Sequence, residues 1–222
     1  MKLLHIIADY AAGDLAFSEM ISALARHLPA DYNWHPTAVH SFDTVGTGFI
    51  VAQLGLQQES LRAPSTVIYA NCAPRKDRRE ARKNNSGEGL LYGVLTNGVP
   101  IVVVNSGYSL SFVRDNLAEL WEVDVPRSGS QFRSRDLFPP IVGKVARGEL
   151  DFLKGRLDPQ EVIADIPRQV VCYVDSFGNL KTSFRDGQDE VLAKLQPGDR
   201  FGVRINQSRP ISVTVASGSF NV

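Results

Sequence analysis

One short segment combines the side chains that a small-molecule site needs. Residues 175–182 read Asp-Ser-Phe-Gly-Asn-Leu-Lys-Thr, so an acid, an aromatic ring, a glycine and an amide lie close together. The carboxylate and the amide can hydrogen-bond the polar groups of a ligand. The same Phe-Gly-Asn run also favours a tight turn between two strands. The segment alone therefore predicts either a ligand contact or a plain turn.

A second candidate is Asp9, which follows the apolar run of residues 3–8. That run predicts a buried strand, and open α/β sheets place ligand contacts at the carboxyl ends of their strands. A carboxylate at this position suits the hydroxyls of a ribose, and a loop-capping role is equally compatible with it. We expect the loop that carries Asp9 to be exposed to solvent.

A basic cluster, residues 75–83, holds six basic residues and two acids. Such a cluster can contact a phosphate group or nucleic acid. The two acids and the lack of aromatic residues between the bases favour a solvated loop instead.

Histidine and glycine chemistry is restricted by position. All four histidines, namely His5, His27, His35 and His40, lie in the first 40 residues. They offer no set of zinc ligands at short spacing, and no histidine from the second half of the chain can serve a catalytic triad. The run Gly46–Gly48 matches neither the dinucleotide fingerprint nor the P-loop, so it predicts helix packing.

The composition excludes several classes of protein. The 222 residues are 43% hydrophobic, which allows a real core, and 24 basic residues balance 24 acidic ones. A formal net charge of zero gives no global attraction to nucleic acid or to an anionic membrane. No apolar run approaches the roughly 20 residues that span a bilayer. With two cysteines and no signal-peptide pattern at the start, we expect a soluble, cytoplasmic protein.

Strands and helices alternate over the first 150 residues, which favours a layered α/β domain. Apolar, β-branched runs predict strands at 3–8, 34–39, 66–70, 90–95 and 100–104. Helical signals predict helices from about residue 14, from 41–43, over 109–121 and over 135–148.

Three local features refine this prediction. The first helix carries an apolar stripe of Leu15, Ile21, Leu24 and Leu28. Gly148 follows the last helix as a C-terminal cap. The Asn97-Gly98 turn between the last two strands favours a hairpin, so we expect a central mixed sheet.

The pattern changes near Pro167, after which short alternating runs predict strands and only 188–195 has a helical period. We therefore expect an N-terminal α/β domain over 1–160, a linker at about 157–167 and a C-terminal β domain over 168–222.

Five elements of the chain, in their order along the sequence, resemble one protein family. They are the Asp-Tyr-Ala loop at 9–11, the Arg78-Arg79 pair, the run Phe-Arg-Ser-Arg-Asp-Leu-Phe-Pro-Pro at 132–140, Gly148 and the segment 175–182. The family is the S-adenosylmethionine hydroxide adenosyltransferases, which include fluorinase and chlorinase enzymes, and the resemblance covers nearly the whole chain. It implies an N-terminal α/β domain followed by a small β-barrel-like domain, here shortened or part of a longer one. It also implies a homotrimer, with each ligand site between the N-terminal domain of one subunit and the C-terminal domain of its neighbour.

The resemblance further implies a reaction that uses no metal or other cofactor. Water or a halide attacks the 5′ carbon of S-adenosylmethionine, and methionine leaves. Asp9 would hold the ribose hydroxyls, and Asp175 and Asn179 would contact the methionine and adenine portions, with Phe177 as a further substrate-binding residue. Ser134 occupies the position of the halide-contacting serine of fluorinase.

The chain departs from the family at the reacting centre. The Asp, Arg and His that surround the attacking water in the hydrolytic members map onto Asn71, Arg78 and Arg133. Asparagine is no base, and arginine keeps its proton at any working pH. Both exchanges also move the site toward positive charge, which disfavours a bound sulfonium cation; a unit charge about 4 Å away is worth about 4 kcal/mol at an effective dielectric of 20.

Three functions follow from these residues. The first is adenosine-forming hydrolysis of S-adenosylmethionine. The second is a non-catalytic protein on the same fold that binds an adenosyl ligand or serves in assembly. The third is a site remodelled for an anionic nucleophile or ligand, with Arg78, Arg133 and Arg135 as donors. In each case the expected partners are a small molecule and further copies of the chain, without nucleic acid or membrane.

Overall fold

The structure is a computed structural model that describes residues 2–57, 66–73, 89–126, 129–184, 190 and 192–217. The strands are β1 (Lys2–Ala8), β2 (Tyr32–Ala38), β3 (Thr66–Asn71), β4 (Leu90–Leu95), β5 (Pro100–Val104), β6 (Leu117–Val123), β7 (Leu153–Arg156), β8 (Val171–Val174), β9 (Leu180–Thr182), β10 (Arg200–Val203) and β11 (Ile211–Thr214). The helices are α1 (Leu15–His27), α2 (Thr44–Leu56), α3 (Arg133–Asp136), α4 (Phe138–Arg147) and α5 (Pro159–Val162), with 3-10 turns at Ser111–Asn116 and Leu192–Lys194.

A mixed sheet organises the α/β part of the chain. Its seven described strands follow the order β2-β1-β3-β5-β4-β6-β7. Strands β2, β1, β3 and β5 run parallel to one another, whereas β4 is antiparallel to both β5 and β6. The hairpin of β4 and β5 turns at Asn97 and Gly98, and Gly98 has a φ of 87° that suits glycine. The predicted mixed sheet is therefore confirmed.

Each face of the sheet buries a separate hydrophobic cluster because successive side chains of a strand point to opposite sides. Leu4 and Ile6 of β1 pack with Met20 of α1 on one face. On the other face, Ile7 of the same strand packs with Val51 of α2. The two helices therefore lie on opposite faces of the sheet, as in a doubly wound fold.

The apolar stripe of α1 differs from the sequence prediction at Leu15. That side chain is 72% exposed, whereas Leu24 is buried. Nine residues at 100° per residue place Leu15 and Leu24 on opposite sides of the helix, so they cannot share a stripe. Phe17 and Met20 complete the buried face instead.

The predicted helix over 109–121 is wrong. The chain forms a 3-10 turn at Ser111–Asn116 and then β6, which pairs with β4 and β7. Leu117, Leu120 and Val123 recur every three residues, a spacing typical of a helix. In β6, Leu117 and Leu120 pack in one core cluster and Val123 in the other, since an irregularity in the ladder with β4 interrupts the alternation between Leu117 and Leu120. Pairing with neighbouring strands overrides this local pattern.

The helix predicted over 135–148 is split into α3 and α4, with Leu137 between them. Pro139 and Pro140 account for the break, since proline is tolerated in the first turn of a helix but not in its interior. Gly148 ends α4 in the left-handed conformation with a φ of 78°, so the predicted C-terminal cap is confirmed.

The run Gly46–Gly48 lies inside α2, as its packing role predicts. The helix begins after Asp43, whose side chain accepts a hydrogen bond of 2.7 Å from the Gly46 amide. A Cβ atom on Gly48 would collide with the carbonyl oxygen of Tyr108. The glycine therefore allows a close approach between α2 and the segment before the 3-10 turn.

The chain divides into two compact units. The first comprises Met1–Pro167 and Val171–Lys181, and the second comprises Arg168–Val170 and Thr182–Val222. Strand β8 and most of β9 belong to the first unit, and β10 and β11 form a two-stranded antiparallel sheet in the second. The segment 157–167 contains α5 and the buried Ile163. No helix within the described ranges has the length and apolar character needed to cross a membrane.

Candidate functional site

The candidate site lies at the point of the sheet where the order of successive strands reverses. From β1 the chain passes through α1 to β2 on one side, and it returns through α2 to β3 on the other. In open α/β sheets a crevice forms at the carboxyl ends of the two strands that flank such a point. Asp9 follows β1 and Asn71 ends β3, and the Asp9 amide donates to the Asn71 carbonyl over 3.3 Å. The fold therefore brings these two predicted residues together.

Residues 11–14 of the loop after β1 are exposed, as expected, whereas Asp9 itself is buried. Only 8% of the surface of Asp9 is exposed to solvent. The Oδ2 atom accepts hydrogen bonds from the Phe42 amide at 3.0 Å and from the Ala73 amide at 3.1 Å. Asp9 therefore joins the loop before α2 to the loop after β3, which is the loop-capping role. The ribose contact stays a prediction.

A cavity of about 200 Å³ lies beside Asn71 and is called the Asn71 cavity below. Its lining comprises Tyr10, Asn71, Cys72, Ala73, Val104, Gln131, Phe132, Arg133, Ser134 and Phe138. Three predicted site residues, Asn71, Arg133 and Ser134, thus line one cavity, although Asn71 lies about 60 residues before the other two in the sequence. Asp9 lies outside this lining and supports it through Ala73.

Two hydroxyl groups meet at the Asn71 cavity. The hydroxyl oxygens of Tyr10 and Ser134 are 2.9 Å apart, and either can be the donor. The bond links the loop after β1 to α3, and the Tyr10 ring also packs against Phe17 of α1. Sequence reasoning did not select Tyr10, although its position directly after Asp9 was a signal that could have found it.

The three arginines proposed as anion donors differ in their surroundings. The Arg133 guanidinium lies 5.1 Å from the ring centre of Phe138, a cation–π contact at the cavity. Arg135 lies outside the lining, where it contacts Phe132 and pairs with Asp136 at 2.7 Å. That pair lowers the pKa of Asp136 to about 2. Arg78, like the rest of the basic cluster, lies outside the described residues.

Cys72 is a second lining residue that the sequence did not select. Burial, followed by the charge of Asp9, raises the pKa of its thiol to about 12. The thiol is therefore protonated at neutral pH and is not a nucleophile there.

The segment 175–182 forms a tight turn between β8 and β9. Asp175 Oδ1 accepts from the amides of Phe177 and Asn179, and Oδ2 accepts from the Asn179 side chain at 2.7 Å. The side-chain hydrogen bond from Asn179 is the main cause that lowers the pKa of Asp175. The Phe177 ring is 87% exposed. None of these three residues lines the Asn71 cavity, so the turn explains their hydrogen bonds and the ligand role stays a prediction.

The described residues contain no group of three or more histidines, cysteines or acids arranged to hold a metal ion. The polar side-chain groups at the Asn71 cavity are instead two amides, two hydroxyls, a thiol and a guanidinium, which can hydrogen-bond a neutral or anionic group.

Comparisons with known proteins show the fold alone. No protein-family profile and no curated protein matches the chain. An uncharacterized conserved protein from Thermotoga maritima is 19% identical, with a TM-score of 0.68 over 97% of this chain and 83% of its own. A conserved hypothetical protein from Thermus thermophilus is 16% identical, with a TM-score of 0.54 over 81% of this chain and 73% of its own. The architecture is thus shared with solved structures whose names state no function.

Proposed function

We propose that the chain binds an adenosyl ligand, S-adenosylmethionine or adenosine, at the crevice formed by Asp9 and the Asn71 cavity. The observation that carries this proposal is the meeting of Asn71, Arg133 and Ser134 in one cavity. The resemblance to the S-adenosylmethionine hydroxide adenosyltransferases assigns these same positions to the reacting centre. The cavity also lies at the carboxyl end of the parallel strands, where open α/β sheets bind ligands.

The inherited reaction is adenosine-forming hydrolysis. The water oxygen forms a bond to the 5′ carbon, the bond from that carbon to sulfur breaks, and the electron pair neutralises the sulfonium as methionine leaves. The hydroxyls of Tyr10 and Ser134 can orient the water, and the Asn71 amide can donate to it. No carboxylate or histidine belongs to the described lining, so the proton passes to solvent water. We expect turnover to be slow for that reason.

Assembly completes the proposed site. Asp175, Phe177 and Asn179 do not line the Asn71 cavity of their own chain, and the Phe177 ring projects into solvent. In a homotrimer these residues, which belong to the first compact unit, would reach the crevice of a neighbouring subunit. Light scattering should give three times the mass of one chain, and a compact monomer at micromolar concentration would contradict this arrangement.

A non-catalytic adenosyl-binding protein is the second candidate, and the chemistry of the lining favours it. Asn71 and Arg133 replace the aspartate and histidine of the hydrolytic members, and the Cys72 thiol is held protonated. An anion-specific site is less well supported because Arg135, one of its three expected donors, is paired with Asp136 away from the cavity.

Calorimetry with S-adenosylmethionine and adenosine, followed by chromatography of the products, separates these functions. Release of adenosine and methionine supports the hydrolase, and binding without products supports the non-catalytic protein. If neither compound binds, the adenosyl proposal is wrong.

The double variant Asn71→Asp/Arg133→His tests the reacting centre directly. It restores a carboxylate and a titratable group beside the water, and general acid–base assistance is worth roughly 10²–10⁴-fold. We expect at least about tenfold faster release of adenosine, with smaller gains from each single change. Arg135→His makes the same replacement outside the cavity and should leave the rate unchanged. A double variant that binds substrate without turnover would contradict the hydrolase.

A further inference from the structure

A second and larger cavity, with a volume of about 600 Å³, lies beside the loop before α2. It is called the Asp43 cavity here and is lined by Ala11, Ala38, Val39, His40, Ser41, Asp43, Gly46, Ile50 and the four residues of β8. All of these residues belong to the first compact unit. Pockets for small molecules have volumes of about 300–1,000 Å³, so this one can enclose an organic ligand. The proposed adenosyl site uses none of its lining.

The start of α2 holds the Asp43 carboxylate in a fixed position. Oδ1 accepts from the Gly46 amide at 2.7 Å, and the Thr47 hydroxyl donates to the Asp43 carbonyl at 2.8 Å. A Cβ atom on residue 46 would collide with Oδ2, so the carboxylate can keep this position only beside a glycine. The carboxylate is therefore ordered before any ligand arrives, which reduces the entropy lost on binding.

The charge of Asp43 has no basic neighbour to neutralise it within the described part of the chain. The lining contains neither lysine nor arginine, and no described ion pair involves Asp43. His40 is the one other lining residue with a side chain that can carry a charge near neutral pH. Burial and then the Asp43 charge raise the pKa of the Cys172 thiol to about 11, so the field of the carboxylate reaches β8. The described lining is therefore negative.

The lining also includes a well-supported apolar part. Val39 and Ile50 contribute aliphatic surface on the side of the sheet and α2. Tyr173 of β8 stacks on Phe49 of α2, with ring centres 6.1 Å apart and planes inclined by 16°. Such a surface binds the hydrophobic part of a ligand while a polar group fixes its orientation.

We propose that the Asp43 cavity binds a small organic cation, in which an ammonium group on an apolar body donates to the Asp43 carboxylate. An ionised carboxylate only accepts hydrogen bonds, and an ammonium group only donates them, so the two are complementary. This site is independent of the adenosyl site, and either can fail without the other.

Three probes that share a phenylethyl body and differ in charge test the proposal. Phenethylamine is a cation, 2-phenylethanol is neutral and 3-phenylpropionate is an anion. We expect the amine to bind about tenfold tighter than the alcohol, because a hydrogen bond to a charged group is stronger than a neutral one. The anion should bind least. Calorimetry gives the affinities, and amide chemical shifts of 40–46 and 171–174 locate the site.

Asp43→Asn removes the charge and keeps a good N-cap residue, so α2 should persist. In this variant the amine should lose its advantage over the alcohol. Asp14→Asn is the matched control, since Asp14 precedes α1, is exposed and lies outside the cavity. Ala11→Trp replaces an exposed lining residue by a bulky one and should weaken all three probes.

Two sets of results would overturn the proposal. The first is no binding of phenethylamine at about 10 mM, well above a millimolar dissociation constant. The second is equal binding of the three probes, or binding that Asp43→Asn and Ala11→Trp leave unchanged.

Discussion

Asp9 and Phe42 are joined by a hydrogen bond of 3.0 Å from the Phe42 amide to the buried Oδ2 atom. Phe42 has a φ of 63°, a backbone conformation that phenylalanine seldom adopts, and its side chain is 53% exposed. The same Oδ2 atom accepts from the Ala73 amide. One carboxylate oxygen thus holds together a loop of the Asp43 cavity and a loop of the Asn71 cavity.

Removing this carboxylate should destabilise the fold. Asp9→Ala leaves the part-buried amides of Phe42 and Ala73 without their acceptor. The loss of two hydrogen bonds at about 0.5–1.5 kcal/mol each should lower the free energy of unfolding by about 1–3 kcal/mol. Asp9→Asn keeps an acceptor oxygen and should cost less. Urea denaturation measures both. The exposed Asp14→Ala serves as the control, and an Asp9→Ala protein as stable as this control would show that Asp9 does not join the loops.

The ribose role of Asp9 needs a separate measurement, because the same substitution affects the loops. Asp9→Asn should weaken adenosine binding if the charge contacts the ribose, since a charge-assisted hydrogen bond is worth about 1.5–3 kcal/mol. Calorimetry on the folded variant gives this value directly. An unchanged affinity would leave Asp9 with the loop-capping role alone.

The hydroxyls of Tyr10 and Ser134 should be energetically coupled. Tyr10→Phe, Ser134→Ala and their double variant form a thermodynamic cycle, and we expect a coupling of about 0.5–1.5 kcal/mol in the free energy of unfolding. Tyr10→Phe combined with Ser22→Ala is the control, since the Ser22 hydroxyl bonds within its own helix. Strict additivity in the first cycle would mean that this bond does not stabilise the native protein.

Acid should destabilise the protein through His5. Burial and then the charge of His35 lower the pKa of His5 below its ordinary 6.5, and Nδ1 is buried without a hydrogen-bond partner among the described residues. The unfolded chain therefore binds more protons in the window below 6.5, so stability should decrease as the pH falls through it. His5→Leu should reduce that decrease in unfolding experiments at several pH values. The exposed His40→Leu should not, and an unchanged slope in His5→Leu would contradict this assignment.

Close packing at Gly48 should make α2 intolerant of a larger residue. Gly48→Ala improves helix propensity by about 1 kcal/mol, but its Cβ atom collides with the Tyr108 carbonyl. Overpacking costs about 1–3 kcal/mol, so we expect a net loss of stability in thermal unfolding. Gly155→Ala is the control because a Cβ there meets open space. A stabilised Gly48→Ala protein would mean that the chain relaxes freely at this contact.

The strands of the parallel core and the caps of two helices were predictable because their signals are local. Residues 3–8 and 66–70 are apolar runs that match β1 and β3. Asp43 caps the start of α2 and Gly148 caps the end of α4, as their residue types predict. Strand β6 was not predictable, because pairing with β4 and β7 decides its conformation and the irregular ladder with β4 interrupts the alternation of its side chains.

The candidate site likewise combines features that the sequence predicted with features that depend on the tertiary structure. The sequence by itself selected Asp9 by its position after a strand, and it selected Asn71, Arg133 and Ser134 through the resemblance to the adenosyltransferases, since the order of residues is a property of the chain. Only the tertiary structure decided that three of them line one cavity, that Asp9 is buried beneath two loops, and that a separate cavity surrounds Asp43. The physical reason is that cavities and buried hydrogen bonds join residues far apart in sequence, and the packing of helices on both faces of the sheet sets those distances.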